Sequence, residues 1–194
     1  MQLSSKQPWI GALLVGLSSA CFGQAMCTPQ EEVAYSCTTG TKTASLCKSA
    51  DTTAPASLTY RYGRVGKTEL EYVATLENAR TFSAFTLPAN PRAQIRMVWF
   101  DKGDFQYLMT ECAGGSCKSL GRLAVFRGDR MLMNAECTNP PSSQPHFSRS
   151  LIQFGPDVDQ AKSLTPLIKW EEMLFPIEAI YKAEMAPHGK TWDN

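Results

Sequence analysis

Hydrophobic and polar positions alternate in short segments between residues 31 and 137, and turn residues separate the segments at intervals of 8–15 residues. Alternation with a period of two is typical of strands joined by hairpins, and not of helices that alternate with strands. We therefore predict a mainly β fold, an antiparallel meander of eight or nine strands that forms a small barrel or a sandwich. The predicted strands are Glu32–Cys37, Lys42–Cys47, Ser57–Tyr62, Thr68–Ala74, Arg80–Thr86, Ala93–Phe100, Asp104–Thr110, Lys118–Phe126 and Arg130–Glu136.

The turns of two hairpins give explicit strand registers. A three-residue turn between the third and fourth strands pairs Tyr60 with Leu70. A turn of the same length between the sixth and seventh strands pairs Met97 with Tyr107. Both registers bring apolar residues together on one face of the sheet, and this agreement supports them.

The pattern changes after the β domain, which we assign to residues 26–140. A C-terminal extension covers residues 141–194, in which Thr165 and Pro166 have the pattern of a helix N-terminus and apolar residues follow at helical spacing. Pro176 should kink or end this helix. We predict a kinked amphipathic helix that either packs on the β domain or binds a partner.

Residues 1–25 have the pattern of an export signal. Lys6 gives a short positive region, and a mostly apolar, uncharged run follows over residues 9–20, too short to cross a bilayer. Small residues favour cleavage between Ala25 and Met26. We therefore predict a signal peptide and a secreted or periplasmic mature protein.

The alternative to ordinary cleavage is lipidation at Cys21, since the segment that ends there resembles a bacterial lipoprotein cleavage box. Membrane contact is expected only in that lipid-anchored form, because no other apolar stretch reaches about 18 residues. Without residues 1–25 the chain loses one of its 19 basic residues and keeps its 18 acidic ones, so basic and acidic residues balance. No basic excess is left for binding nucleic acid.

An even set of cysteines remains after the signal, and in an exported protein this indicates disulfide bonds. Cys112 and Cys117 are the easiest local pair, and the sequence leaves the pairing of the others open. A metal site is disfavoured because no Cys-x-x-Cys occurs and no histidine stands at ligand spacing. We therefore predict neither metal nor cofactor. The six cysteines are Cys27, Cys37, Cys47, Cys112, Cys117 and Cys137.

No motif of a known catalytic mechanism occurs in the chain. His146 and His188 stand alone, and the carboxylate pair Glu69 and Glu71 is interpreted as surface charge. We therefore predict that the protein is not an enzyme.

The ring closed by Cys112 and Cys117 is the candidate binding site, because a clamped small-residue loop can enter a cleft at low entropic cost. The other interpretation is a surface turn cross-linked for stability. The ring encloses Ala113, Gly114, Gly115 and Ser116.

The segments Val33–Cys47 and Leu58–Gly63 resemble a group of short, secreted bacterial β proteins that contain cysteines, over roughly residues 27–140. This resemblance implies no activity. More distantly, Tyr35-Ser36-Cys37 followed by a strand meander is similar to the periplasmic and lipid-anchored inhibitors of C-type lysozyme. That similarity implies a small barrel of about eight strands that inserts a loop into the cleft of the enzyme. The Ser-Gly-x-x-Tyr motif of those inhibitors does not occur in this chain, so no inhibitory residue is carried over.

These features together indicate an exported binding protein of the bacterial envelope. The expected partner is another protein, a lysozyme-like hydrolase or a delivered toxin, which this chain would inhibit or confer immunity against. One alternative is a lipocalin-like carrier that holds a small ligand inside a barrel. The other is a hydrolase of unfamiliar design.

Overall fold

The computed structural model describes residues 25–50, 56–139 and 167–170, together with residues 147, 180, 181 and 184. Within these residues nine antiparallel strands follow one another, as the alternation predicts, and a short tenth strand lies near the C-terminus. The strands are β1 Glu31–Thr39, β2 Lys42–Ser49, β3 Ser57–Arg64, β4 Lys67–Thr75, β5 Phe82–Asn90, β6 Ala93–Lys102, β7 Phe105–Gly114, β8 Gly121–Arg127, β9 Arg130–Glu136 and β10 Ile168–Trp170.

The strands form two sheets, so the sandwich interpretation of the meander is the one observed. The smaller sheet has the order β1-β2-β3-β4, and the larger has the order β10-β5-β6-β7-β8-β9. Hairpins connect neighbouring strands within each sheet, and β10 is the exception because it pairs in parallel with β5. The inner faces of the two sheets supply one shared set of buried side chains.

An aromatic cluster fills the space between the sheets. Phe100 of β6 is 1% exposed, and its ring centroid lies 4.3–5.5 Å from those of four other aromatic rings. Two of these rings come from the small sheet and two from the large one, so the stack joins both layers. The four partners are Tyr60, Tyr72, Phe82 and Tyr107.

The larger sheet is also covered on its outer face. Ile95, Met97 and Trp99 of β6 pack there with Leu108 of β7, and Ile180 of the C-terminal extension joins the same cluster. The β6 strand is therefore buried on both faces over residues 97–100, which explains the four consecutive apolar residues there.

The predicted register of the β3–β4 hairpin is wrong by two residues. Tyr60 pairs with Tyr72 and not with Leu70, because the turn has two residues and a bulge follows at Gly63. The even shift keeps every side chain on its predicted face, so the predicted core residues of this hairpin remain in the core. Gly66 has a φ of +77°, the left-handed conformation expected from the turn.

The predicted register of the β6–β7 hairpin is wrong by three residues. Met97 pairs with Thr110 and not with Tyr107, because the turn consists of Gly103 and the residue after it. An odd shift moves every β7 side chain to the opposite face. Tyr107 therefore lies with Phe100 between the sheets, and not beside Met97 as predicted.

The helix predicted to begin at Thr165 is wrong at residues 168–170, which form β10 and pair with Phe82–Ala84 of β5. Residues 180, 181 and 184 are helical, and apart from residue 167 the rest of the predicted helix lies outside the described residues. Leu167 and Phe147 are buried in the core between the sheets. The described parts of the C-terminal extension thus contribute to the β domain itself.

Side chains of the protein cap the outer edge of the small sheet. Asn78 Nδ2 donates a hydrogen bond to the carbonyl of Val73 at 2.9 Å, and the amide of Thr75 donates to Asn78 Oδ1 at 3.0 Å. Lys102 Nζ donates to the carbonyl of Glu71 at 3.2 Å. Three backbone groups at the C-terminal half of the β4 edge are therefore occupied and cannot pair with a further strand.

Candidate functional site

The six cysteines after residue 25 form three disulfide bonds. The Cys112–Cys117 pair expected from its spacing is present, with a Cα–Cα distance of 5.8 Å. The structure also supplies the two pairings that the sequence leaves open, Cys27–Cys47 and Cys37–Cys137. Cys21, the predicted lipidation residue, lies outside the described residues.

The Cys37–Cys137 disulfide joins the two sheets, because it links β1 to the residue that follows β9. Beside it the amide of Thr138 donates to the carbonyl of Thr38 at 2.7 Å. The amide of Thr38 donates to Asn139 Oδ1 at 2.8 Å. This side of the sandwich is therefore closed by covalent and hydrogen bonds together.

The Cys27–Cys47 disulfide holds the N-terminal segment on the outer face of the small sheet. Glu31 lies close to both sulfur atoms, but these are bonded to each other and Arg61 NH1 contacts the Glu31 carboxylate at 2.6 Å. This group is thus a cross-link beside an ion pair. Burial alone would raise the pKa of Glu31, but hydrogen bonds from Arg61 and from the Thr28 amide outweigh it and leave the pKa below its usual value.

The ring between Cys112 and Cys117 is the end of a strand and not a free loop. Strand β7 continues through Cys112 as far as Gly114, which pairs with Ala93 of β6. The amide of Cys117 donates to the carbonyl of Gly114 at 3.3 Å, and the amide of Cys112 donates to the carbonyl of Leu120 at 3.1 Å. We call residues 112–117 the disulfide loop.

The four enclosed residues differ in their exposure. Gly114 and Gly115 are exposed, Ala113 is half-buried, and Ser116 is buried. The surface that the disulfide loop offers to a partner is therefore the backbone of two adjacent glycines, at the end of the large sheet. Ser116, one of the four predicted binding residues, is buried and does not contribute to that surface.

Only a glycine fits at position 114, because a side chain there would collide with the neighbouring backbone. Its φ is +130°, and a Cβ built on it would lie 2.0 Å from the carbonyl oxygen of Arg92 and 2.7 Å from the Cα of Ala93. Because both neighbours are backbone atoms, no side-chain movement could make room. A Cβ on Gly115 would meet nothing within 4 Å.

A buried carboxylate lies beneath the disulfide loop. Glu184, from the C-terminal extension, is 0% exposed and accepts hydrogen bonds from the hydroxyls of Thr110 and Ser119, the latter at 2.8 Å. Its backbone carbonyl accepts a hydrogen bond from the amide of Lys118 at 2.7 Å. Thr110 precedes the disulfide loop and the other two residues follow it.

The charge of this carboxylate is compensated from the neighbouring strand. Arg122 Nε of β8 lies 3.6 Å from Glu184 Oε2, which is an ion pair too long for a hydrogen bond. Burial raises the pKa of Glu184 above its usual value, and the hydrogen bonds from Thr110 and Ser119 and the charge of Arg122 offset part of that rise.

A second buried carboxylate, Glu111, adjoins Thr110 on β7 but points to the opposite face of the sheet. Arg96 NH1 contacts it at 3.1 Å, and the amide of Phe147 donates to it at 2.9 Å. Since successive strand residues face opposite ways, Glu111 and Glu184 lie on different sides of the large sheet. The two carboxylates therefore do not converge on one cleft.

The other candidate catalytic residues from the sequence are Glu69, Glu71 and the two histidines. Glu69 contacts Lys42 Nζ at 2.5 Å and Glu71 contacts Arg61 Nε at 2.8 Å, so each carboxylate has its own cation. The two histidines lie outside the described residues.

Sequence reasoning missed Glu184, although a signal was available. Glu184 stands four residues after Ile180, and this spacing puts the two residues on the same face of a helix. A signal was also available for Glu111, because period-two alternation along β7 places it on the same face of the sheet as Tyr107.

Comparison of the chain with protein-family models, with curated proteins and with solved structures finds no match. Among the described residues, no helix has the length and hydropathy needed to cross a bilayer.

Proposed function

We propose that this chain is an exported, non-enzymatic binding protein of the bacterial envelope that inhibits, or gives immunity against, a lysozyme-like hydrolase or a delivered toxin. The observation that carries the proposal is the disulfide loop, which presents Gly114 and Gly115 on an anchored base. A loop that is already ordered loses little entropy when it enters a cleft. The bare backbone of two glycines can also approach surfaces that larger side chains could not reach.

Several features favour recognition of a protein over the two alternatives, a small-ligand carrier and a hydrolase. The interior of the sandwich is occupied by the stack around Phe100, which gives little support to a small-ligand carrier. The buried carboxylates Glu111 and Glu184 lie on opposite faces, which gives little support to a carboxylate-pair hydrolase. The three disulfides are compatible with an oxidising compartment outside the cytosol.

The test is a pull-down with the full mature chain from periplasm and from secreted effector preparations, compared among three proteins. Wild type is expected to capture a hydrolase or toxin and to inhibit it. Gly115→Arg places a large side chain on the exposed loop without a steric conflict, because the Cβ position is open. Val65→Arg is the matched control, since Val65 is 56% exposed in a turn of the other sheet.

Capture by wild type and Val65→Arg, with loss of capture by Gly115→Arg, would support the proposal. Equal capture by all three proteins would move the binding surface away from the disulfide loop. Absence of any partner at micromolar concentration, together with unchanged toxin sensitivity of a deletion strain, would refute the binding function itself.

A further inference from the structure

The segment after the disulfide loop has little regular structure to hold it. Strand β7 carries the first arm of the loop up to Gly114, but β8 begins only at Gly121, so residues 118–120 lie between strands. A disulfide fixes Cys117 relative to Cys112 and does not by itself fix this second arm against the sheet. The hydrogen bond from the Cys112 amide to the Leu120 carbonyl holds the end of this segment, so Lys118 and Ser119 are the residues that need a further contact.

Glu184 supplies contacts to both arms. Its carboxylate accepts a hydrogen bond from Thr110, two residues before Cys112, and one from Ser119, two residues after Cys117. Its carbonyl accepts the amide hydrogen of Lys118. One residue from the distant C-terminal extension therefore bridges the two ends of the loop.

We propose that Glu184 is the positioning residue of the disulfide loop, and that the C-terminal extension serves to lock both arms of the loop in one conformation. The consequence for binding rests on the proposed function, whereas the ordering of the loop does not. Hydrogen bonds to a charged acceptor are stronger than neutral ones, and Ser119 and Glu184 are both buried, so water competes weakly for them.

The surroundings of Glu184 agree with a positioning role. Arg122 balances the buried carboxylate and also links back to the network, because its amide donates to Thr110 Oγ1 at 3.0 Å. Thr110 therefore serves as a junction between β7, β8 and the C-terminal extension. Removal of Glu184 would leave the hydroxyls of Thr110 and Ser119 without this shared acceptor.

The experiment is hydrogen exchange on the full mature chain, followed by mass spectrometry of peptides that cover residues 113–120. It compares wild type, Glu184→Ala, Glu184→Gln and Glu136→Gln. The last variant is the matched control, because Glu136 is the exposed carboxylate that also contacts Arg122, at 3.5 Å. No binding partner is needed for this measurement.

We expect Glu184→Ala to speed exchange in residues 113–120 by about tenfold or more, because loss of the two buried hydrogen bonds to the carboxylate favours local opening. Exchange in β1–β4 should stay unchanged, Glu184→Gln should recover part of the protection, and Glu136→Gln should match wild type. Unchanged loop exchange in Glu184→Ala, or an equal increase in every strand, would overturn the proposal.

Ser119→Ala keeps the proposal testable where Glu184→Ala does not fold, since it removes a single contact. A local increase of about threefold confined to the loop is expected, and its absence counts against the positioning role. If the loop loosens in these variants while Gly115→Arg captures partners normally, then the disulfide loop is not the binding surface and the positioning role stands. If the loop does not loosen while Gly115→Arg loses capture, then the positioning role fails and the loop remains the binding surface.

Discussion

The neighbouring glycines of the disulfide loop provide a sharp test of the structure. Gly114→Ala puts a methyl group 2.0 Å from the backbone oxygen of Arg92, at a φ of +130°. Such a backbone conformation costs a residue with a side chain about 1–3 kcal/mol. Crowding against atoms that cannot rotate away adds about 1–3 kcal/mol. We therefore expect Gly114→Ala to lose about 2–6 kcal/mol of unfolding free energy, which is a large part of the total for an ordinary domain.

Gly115→Ala is the internal control, because its new methyl group would meet nothing within 4 Å. We expect its unfolding free energy to change by less than about 0.5–1 kcal/mol. The assay is guanidinium unfolding followed by tryptophan fluorescence, with Trp99 buried in the outer cluster as a reporter. Equal stability of the two variants would refute the pairing of Gly114 with Ala93 and the anchored geometry of the loop.

Three further outcomes follow from the cross-links, an ion pair and an edge cap. Replacing Cys37 and Cys137 by alanine removes the cross-link between residues 100 positions apart, and it should lower the unfolding free energy in guanidinium by about 4–5 kcal/mol. Removing the Cys112–Cys117 disulfide should lower it by about 2 kcal/mol. Because Arg61 lowers the pKa of Glu31 despite its burial, Glu31→Gln should be less stable than wild type at pH 7, and urea unfolding should show the gap closing below the ordinary pKa of 4.5. Asn78→Ala should lose about 1 kcal/mol in urea unfolding and show concentration-dependent association by light scattering, because it uncaps the β4 edge.

The strands were predictable from the sequence because alternation and turn residues are local signals. All nine antiparallel strands overlap their predicted ranges, and Gly66 has its expected left-handed conformation. Registers were less predictable, since each depends on turn length and on bulges that have a weak local signature. A two-residue turn and the bulge at Gly63 account for the first error, and the two-residue turn at Gly103 accounts for the second.

Long-range contacts account for the remaining errors. Residues 168–170 follow a helix-start pattern at Thr165, yet they form a strand because the edge of β5 at Phe82–Ala84 offers backbone pairing. Nothing between residues 165 and 170 indicates that edge. The Cys37–Cys137 pair likewise depends on the approach of two sheets and could not be selected from spacing.

The candidate site shows the same division between local and distant information. The Cys112–Cys117 ring and its glycines could be chosen from the sequence because ring size and residue type are local properties. The anchoring of the ring could not, since Glu184 is 67 residues beyond Cys117 in the chain (184 − 117). Its helical spacing from Ile180 indicated burial but gave no contact partner.

The treatment of the sheet edges bears on how a partner could bind. An exposed edge is the usual route for strand addition, but Asn78 occupies backbone groups of β4 and Asn139 occupies an amide of β1. Within the described residues β9 pairs only with β8, and its pairing is interrupted by a bulge near Leu132, which bends a strand and disfavours a new ladder. Because these edges are partly occupied or bent, the proposed recognition of a partner should depend more on the loops than on strand addition. The disulfide loop combines a covalent clamp, an anchored base and an open glycine surface, so it is the part of the described chain best suited to that role.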